Sequence, residues 1–177
     1  IGNMGDISLR ALDVLAKVDA VLCEDTRVSG KLLKYFDLKK PLSIYNDHSD
    51  EMVRAKIVER IGGGEALALI SDAGMPLISD PGYKLVRDLR NQDLSVASVP
   101  GANAPLSALQ LSGVASDRFS FIGFLPAKTG ARQALLEEWR SAPGTLIAFE
   151  TAPRLIAALK DIDAVLSGRD VVVTREL

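Results

Sequence analysis

An α/β fold with a mainly parallel sheet is predicted by two observations. Short apolar runs of strand length alternate with segments of helical apolar period, and most runs end in a loop rich in Gly, Pro, Asp or Glu. Such alternation calls for crossover connections with helices on both faces of the sheet. Ligands of open α/β sheets lie beyond the carboxyl ends of the strands, so those loops are where chemistry is expected.

Taken in order, Asp6 is a good N-cap for a helix whose apolar positions are Ile7, Ala11, Leu12, Leu15 and Val18. The preceding Ile1-Gly-Asn-Met-Gly reads as a strand-to-helix loop without its strand, so truncation at the amino end is expected. Ala20 to Cys23 is the next strand, Glu24-Asp-Thr-Arg27 its loop, and a helix follows from about Ser29 to Phe36. The pattern repeats with the strand Leu42 to Tyr45, the polar loop Asn46 to Glu51, and a helix carrying Val53, Ile57 and Ile61. Gly62-Gly-Gly64 stops that helix. It is no phosphate loop, because it follows a helix rather than opening one.

Ala66 to Ile70 is a buried strand delivering Ser71-Asp-Ala-Gly-Met-Pro-Leu-Ile-Ser-Asp-Pro-Gly82 to the sheet edge, and a helix runs from there to Asn91. Ser95 to Val99 is expected as a strand ending in Pro100-Gly-Ala-Asn-Ala-Pro105, with a helix to about Leu111. Ser112 to Arg118 is taken as the linker between a domain at 1–114 and a second at 118–177. That second domain holds the strands Phe119 to Phe124 and Thr145 to Phe149, each with its helix, and a last strand, Val171 to Thr174. Nothing caps the last strand, so truncation at the carboxyl end is expected too.

With 177 residues, 47% hydrophobic and 25% charged, the chain can bury a real core. No apolar run is long enough to span a bilayer, and the first residues are not a signal peptide, so a cytoplasmic protein without a membrane partner is expected. The single cysteine, Cys23, fits a reducing compartment and reads as a buried small hydrophobe. The formal net charge of −2 advertises no polyanion partner. Locally, however, Arg27, Lys31, Lys34, Lys39 and Lys40 cluster against the single acid Asp37.

Several long motifs in order resemble those of the ribosomal RNA methyltransferases of the tetrapyrrole methylase superfamily. They are Ile-Gly-Asn-x-x-Asp-Ile at the start, Glu24-Asp-Thr-Arg27, Ser71 to Gly82, Val99-Pro-Gly101, Gly123-Phe-Leu-Pro-Ala-Lys128 and Phe149-Glu-x-x-x-Arg154. The resemblance implies a two-domain α/β fold, a homodimer, and S-adenosyl-L-methionine bound between the domains. It also implies methylation of a cytidine ribose 2′-hydroxyl in the 16S rRNA of the small ribosomal subunit. Ile1, Gly2, Asp72, Met75, Asn103, Ala104 and Phe149 would then touch the cofactor. Met75 stands where the family usually has Thr, and Ala102-Asn-Ala-Pro105 and Thr151-Ala-Pro153 also depart from its pattern.

Methyl transfer from a sulfonium is an in-line displacement that needs alignment and loss of a hydroxyl proton. Asp25, Asp47, His48 and Glu150 are the loop-end groups able to take that proton, with Asp25, His48 and Glu150 carried forward as candidates. No metal is expected. RNA would be met by Arg27, Lys31 and Lys34, with Lys128, Arg132 and Arg154 as further candidates. Glu150 and Arg154 could equally pair to orient their loop. Two other functions fit the same pattern: a tetrapyrrole C-methyltransferase and a non-catalytic nucleotide-binding α/β module.

Overall fold

The apolar run Ala20–Cys23 forms β1, buried at every position, the middle strand of a sheet of order β2-β1-β3. β2 (Leu42–Ile44) and β3 (Leu67–Leu69) both run parallel to it, with Val21 opposite Leu42 and Ala68. The computed structural model describes residues 2–46 and 51–176. They gather into two units, Ile1–Asn103 and Ala104–Leu177.

Alternation along β1 builds both cores of the first unit, since successive side chains point to opposite faces. Val21 packs with Leu15, Val18 and Leu33, which places α1 (Leu9–Lys17) and α2 (Thr26–Tyr35) on one face. Leu22 packs with Tyr45, Ile57, Val58, Leu85 and Leu89, which places α3 (Glu51–Gly62) and α4 (Tyr83–Asn91) on the other. A parallel sheet covered on both faces is therefore what the pattern produces.

Helix starts differ from the expectation in two places, each for a local hydrogen-bonding reason. Asn3 Oδ1 accepts from the Gly5 amide at 3.0 Å and closes a short 3-10 turn over Met4–Asp6. The N-cap of α1 is therefore Ser8, whose Oγ accepts from the Ala11 amide at 3.1 Å, and not Asp6. α2 begins three residues early because Asp25 caps it, accepting from the Arg27 amide at 2.8 Å. Thr26 and Arg27 thus lie in the first turn of a helix rather than in a loop.

The second unit comprises α5 (Ala104–Ser112), β4 (Phe119–Phe124), α6 (Thr129–Glu138), β5 (Thr145–Phe149), a 3-10 turn (Ala152–Arg154) and α7 (Leu155–Val165). β4 and β5 are parallel, and their register shifts between Phe121 and Phe124 so that Phe124 stands opposite Phe149. Leu125, Leu136, Ala158 and Leu166 form the core, with Ile122, Leu146 and Ile162 packed against it.

Two expected strands do not form. Ser95–Val99 and Val171–Thr174 are irregular, and Val96, Val171, Val172 and Val173 are 40–53% exposed. A β-branched run becomes a strand only when a neighbour supplies the ladder, and among the described residues neither segment has one.

Candidate functional site

The loop at 71–82 leaves β3 at the carboxyl edge of the first sheet and has no regular structure over its whole length. Ser71 Oγ donates to the Gly74 carbonyl at 3.1 Å. Further on, Leu77 and Ser79 hold φ of 71° and 65°. A left-handed leucine is costly, and such strain persists only where the surroundings over-determine it, most often at ligand-binding loops. Gly82 ends the loop at φ 133°, where a Cβ would come within 2.7 Å of Leu69 Cδ2 and Leu77 Cδ1. Only glycine lets the chain turn there into α4.

Met75 reaches the next motif, because a Cβ placed on Gly101 would meet its Sδ at 3.6 Å. The loop at 71–82 and the Val99-Pro-Gly101 segment are therefore neighbours. Asn103 is the last residue of the first unit, and Ala104 opens α5 in the second. Gly2 is exposed at φ 76°. Ile1, Asp47 and His48 lie outside the described residues.

Cys23 is fully buried at the end of β1, its thiol 3.9 Å from the Ser43 carbonyl. Burial pushes the thiol up from its ordinary range, and the charges of Asp72, Asp25 and Glu24 add to it. Those three carboxylates thus share the edge where β1 and β3 end. Burial and these charges make Cys23 a poor nucleophile. The raised thiol keeps its proton in the folded state, so its contribution to stability is complete below the unfolded thiol's titration and fades as pH rises through the range above it. We expect a disulfide reagent at pH 8 to label Cys23 only as fast as the protein opens, and rapidly in denaturant. Prompt stoichiometric labelling of native protein would contradict this.

Asp25 is not a free carboxylate. Arg27 Nε donates to its Oδ1 at 3.0 Å and Arg27 NH2 to its Oδ2 at 2.6 Å, in addition to the capping bond. The Arg27 guanidinium, then its amide, hold the Asp25 carboxyl down to about 2. A group so held is a weak proton acceptor and a good anchor for a helix start.

Arg27, Lys31 and Lys34 recur at i, i+4 and i+7 on α2 and so share one face. Tyr35, four residues after Lys31, is 68% exposed on that face and packs edge-on against Phe36 at 4.9 Å between ring centroids. Its i+4 spacing from Lys31 is a signal the charge count passed over. Lys40 drops out of the patch, since its Nζ donates to the Val18 carbonyl at 2.6 Å.

In the second unit, Lys128 is exposed at the N-cap of α6. Arg132, one turn on, is 1% exposed and serves the interior instead. Its Nε donates to Asp161 Oδ2 at 2.7 Å, and NH1 donates to the Pro126 and Ala127 carbonyls at 3.0 and 3.2 Å. It cannot be a contact for RNA, because helical spacing turned it inward onto α7. Phe149 is half-buried between Phe121 and Phe124, with ring centroids 5.0 and 5.1 Å away.

Glu150 follows at the end of β5, its side chain only 8% exposed. Oε1 accepts from the Thr151 amide at 2.6 Å and from Arg154 NH2 at 2.5 Å. Oε2 is buried with no hydrogen-bond partner among the described residues. Arg154 is thereby engaged with Glu150 and with Thr151 Oγ1, at 3.1 Å from its Nε.

A groove of about 410 Å³ between α3 and α4 is lined by Arg54, Val58, Arg87, Asp88 and Gln92, none of them in the motif loops. Arg54 Nε donates to Asp88 there at 3.0 Å. Among the described residues no helix is long and apolar enough to cross a membrane.

Comparison with known proteins places these loops in a family. Over 177 residues the chain is 49% identical to the ribosomal RNA small subunit methyltransferase I of Rickettsia prowazekii. Over 178 residues it is 47% identical to the protein of that name from Haemophilus influenzae, and 46% identical to that from Mesorhizobium japonicum. All of this chain aligns in each case, against 63%, 63% and 60% of the relatives' own lengths. The crystal structure of a conserved hypothetical protein from Aeropyrum pernix K1 superposes with a TM-score of 0.63 at 16% identity, over 92% of this chain and 62% of that one. At that identity the likeness is one of fold. The family model for tetrapyrrole (corrin/porphyrin) methylases matches residues 1–177, and the chain belongs to that family.

Proposed function

We propose that the protein is an S-adenosyl-L-methionine-dependent methyltransferase acting on a cytidine ribose 2′-hydroxyl in the 16S rRNA of the small ribosomal subunit. The observation that carries the reading is identity of 44–49% along the entire chain to proteins named ribosomal RNA small subunit methyltransferase I. The proposed cofactor contacts are Gly2, Asp72, Met75 and Asn103 in the first unit and Ala104 and Phe149 in the second. Their chemistry suits such a cofactor, which supplies an electrophilic methyl group. Carboxylates favour its sulfonium and ammonium charges, and the half-buried Phe149 ring offers an apolar contact. A homodimer in the cytoplasm goes with this reading.

The chain's own part in the reaction is alignment and charge. In this reading the loop at 71–82 presents Asp72 and Met75 to the cofactor, and alignment of the two reacting groups is its contribution. Lys31, Lys34 and Tyr35 form the proposed RNA face, cations for phosphates and an exposed ring for an unstacked base, with Arg27 committed to Asp25 at its edge. Lys128 is a further phosphate contact.

The test is transfer of a labelled methyl group from S-adenosylmethionine to 30S subunits or to a porphyrinoid precursor. Label is expected in 16S rRNA alone. Label in the porphyrinoid would favour the second reading, a tetrapyrrole C-methyltransferase, which the family's description supports. Label in neither would favour a non-catalytic module. Within the proposed reading, Lys31→Glu together with Lys34→Glu should weaken RNA binding about tenfold or more, and lower the slope of log affinity against log salt by about 0.7 per lost phosphate contact. Cofactor affinity should not change, and unaltered RNA affinity would refute the assignment of this face.

A further inference from the structure

Glu150 carries an oxygen that the fold leaves without a donor. A carboxylate oxygen wants hydrogen-bond donors, and one enclosed without them is costly. The two oxygens of Glu150 are treated differently: Oε1 takes Thr151 and Arg154, while Oε2 is buried and receives no donor among the described residues. The anchor on Oε1 fixes the rotamer, so Oε2 is held in one place rather than free to find water. It sits just past β5, in the residue after Phe149, at the edge where parallel strands of α/β folds meet ligands. Asp25, the other described carboxylate among the proton-acceptor candidates, has both oxygens occupied by Arg27.

We infer that Glu150 Oε2 accepts a hydrogen bond from a ribose hydroxyl of a bound ligand. The inference rests on the proposed methyltransferase reading and deepens it. Two ribose hydroxyl sources share this chemistry, the adenosine of the cofactor and the substrate nucleotide. In the second case the hydroxyl oxygen bonds to the methyl carbon, the carbon–sulfur bond breaks with its electron pair passing to sulfur, and the hydroxyl proton goes to Oε2. The products are then the methylated ribose and S-adenosylhomocysteine. In the first case Glu150 is a positioning residue for the cofactor.

Glu150→Gln is the informative variant, because it keeps an oxygen for Thr151 and Arg154 and turns the second position into an amide donor. Arg154→Met is its control, since it leaves the Thr151 amide anchoring Oε1 and leaves Oε2 an acceptor. The affinity of each protein for S-adenosylhomocysteine and for its 2′-deoxy and 3′-deoxy counterparts is measured by calorimetry, alongside methyl transfer to 30S subunits across pH. If the cofactor's ribose is the donor, wild type should lose about tenfold or more with one deoxy ligand, and Glu150→Gln should show no further loss with it. If the substrate's ribose is the donor, cofactor affinities should match wild type in Glu150→Gln. Transfer should then fall at least tenfold and lose the acidic limb of its pH profile.

The inference is overturned if Glu150→Gln leaves both the deoxy-ligand losses and the pH profile as in wild type. It is equally overturned if Arg154→Met reproduces every effect of Glu150→Gln, which would mark the pair as structural. Wild type that binds no S-adenosylhomocysteine and methylates no 30S subunit would sink the methyltransferase reading itself, and the ribose assignment with it.

Discussion

Replacing Arg132 by Met should destabilise the protein by about 3–5 kcal/mol, the usual cost of stranding one charge of a buried ion pair. Arg132 is 1% exposed and Asp161 6%, so the carboxylate left behind would have little access to water. Among the described residues it would keep only Gln133 Nε2, which donates to its Oδ1 at 2.8 Å. The substitution also frees the carbonyls of Pro126 and Ala127 and a bond to Thr129 Oγ1 at 3.2 Å. Those bonds hold the turn between β4 and α6, so loosening should reach Lys128. Urea denaturation of the variant should show the midpoint shift, and a loss below about 1 kcal/mol would mean that the pair is not desolvated as described. Arg132→Lys should recover only part of the loss, since an ammonium cannot fork between a carboxylate and two carbonyls.

Gly144→Ala should cost about 3 kcal/mol, from left-handed backbone strain together with a backbone collision. Gly144 holds φ 85°, and a Cβ there would lie 2.3 Å from the Arg118 carbonyl oxygen. No side-chain rotation can relieve contact with a backbone atom. That same oxygen accepts from the Thr145 amide at 2.9 Å and sets the start of the β4–β5 pairing, with Thr145 Oγ1 donating to the Ala115 carbonyl at 2.6 Å. Relief would therefore pull the two strands apart at their first pair, Phe119 and Thr145. Gly113→Ala is the comparison, because Gly113 holds φ 71° with nothing within 4 Å of the added atom. It should lose only the conformational part, about 1 kcal/mol. Equal losses at both positions would show that the Arg118 contact is not decisive.

The cluster of charges around β1 shows why ionisation matters less here than geometry. Asp25 stays ionised down to about 2 because Arg27 is folded back on it. A lowered carboxyl stabilises the folded state above its unfolded titration range and ceases to do so as pH falls through about 2. Above that range the carboxylate and its guanidinium act as one neutral unit at the start of α2. The positive character of the α2 face therefore rests on Lys31 and Lys34.

By itself the sequence determined the alternation of strand and helix, the parallel sheet around Ala20–Cys23, and the position of the motif loops at strand ends. Those features depend on local apolar period, on Gly and Pro, and on the two-face burial of β1, all of which are written in residue order. The motifs likewise sufficed to place the chain in its family. Only the tertiary structure decided which candidates have chemistry to spare. Ser95–Val99 and Val171–Thr174 have strand composition, but a strand exists only where a partner backbone lies alongside it. Arg132 and Lys128 are four residues apart and equally basic, yet one turn of helix sends the first into the core and leaves the second in water. Asp25 and Glu150 look alike as acids at strand ends. Their neighbours occupy both oxygens of the first and one oxygen of the second, because a charged group's availability is set by three-dimensional distance to its donors, which residue order does not encode.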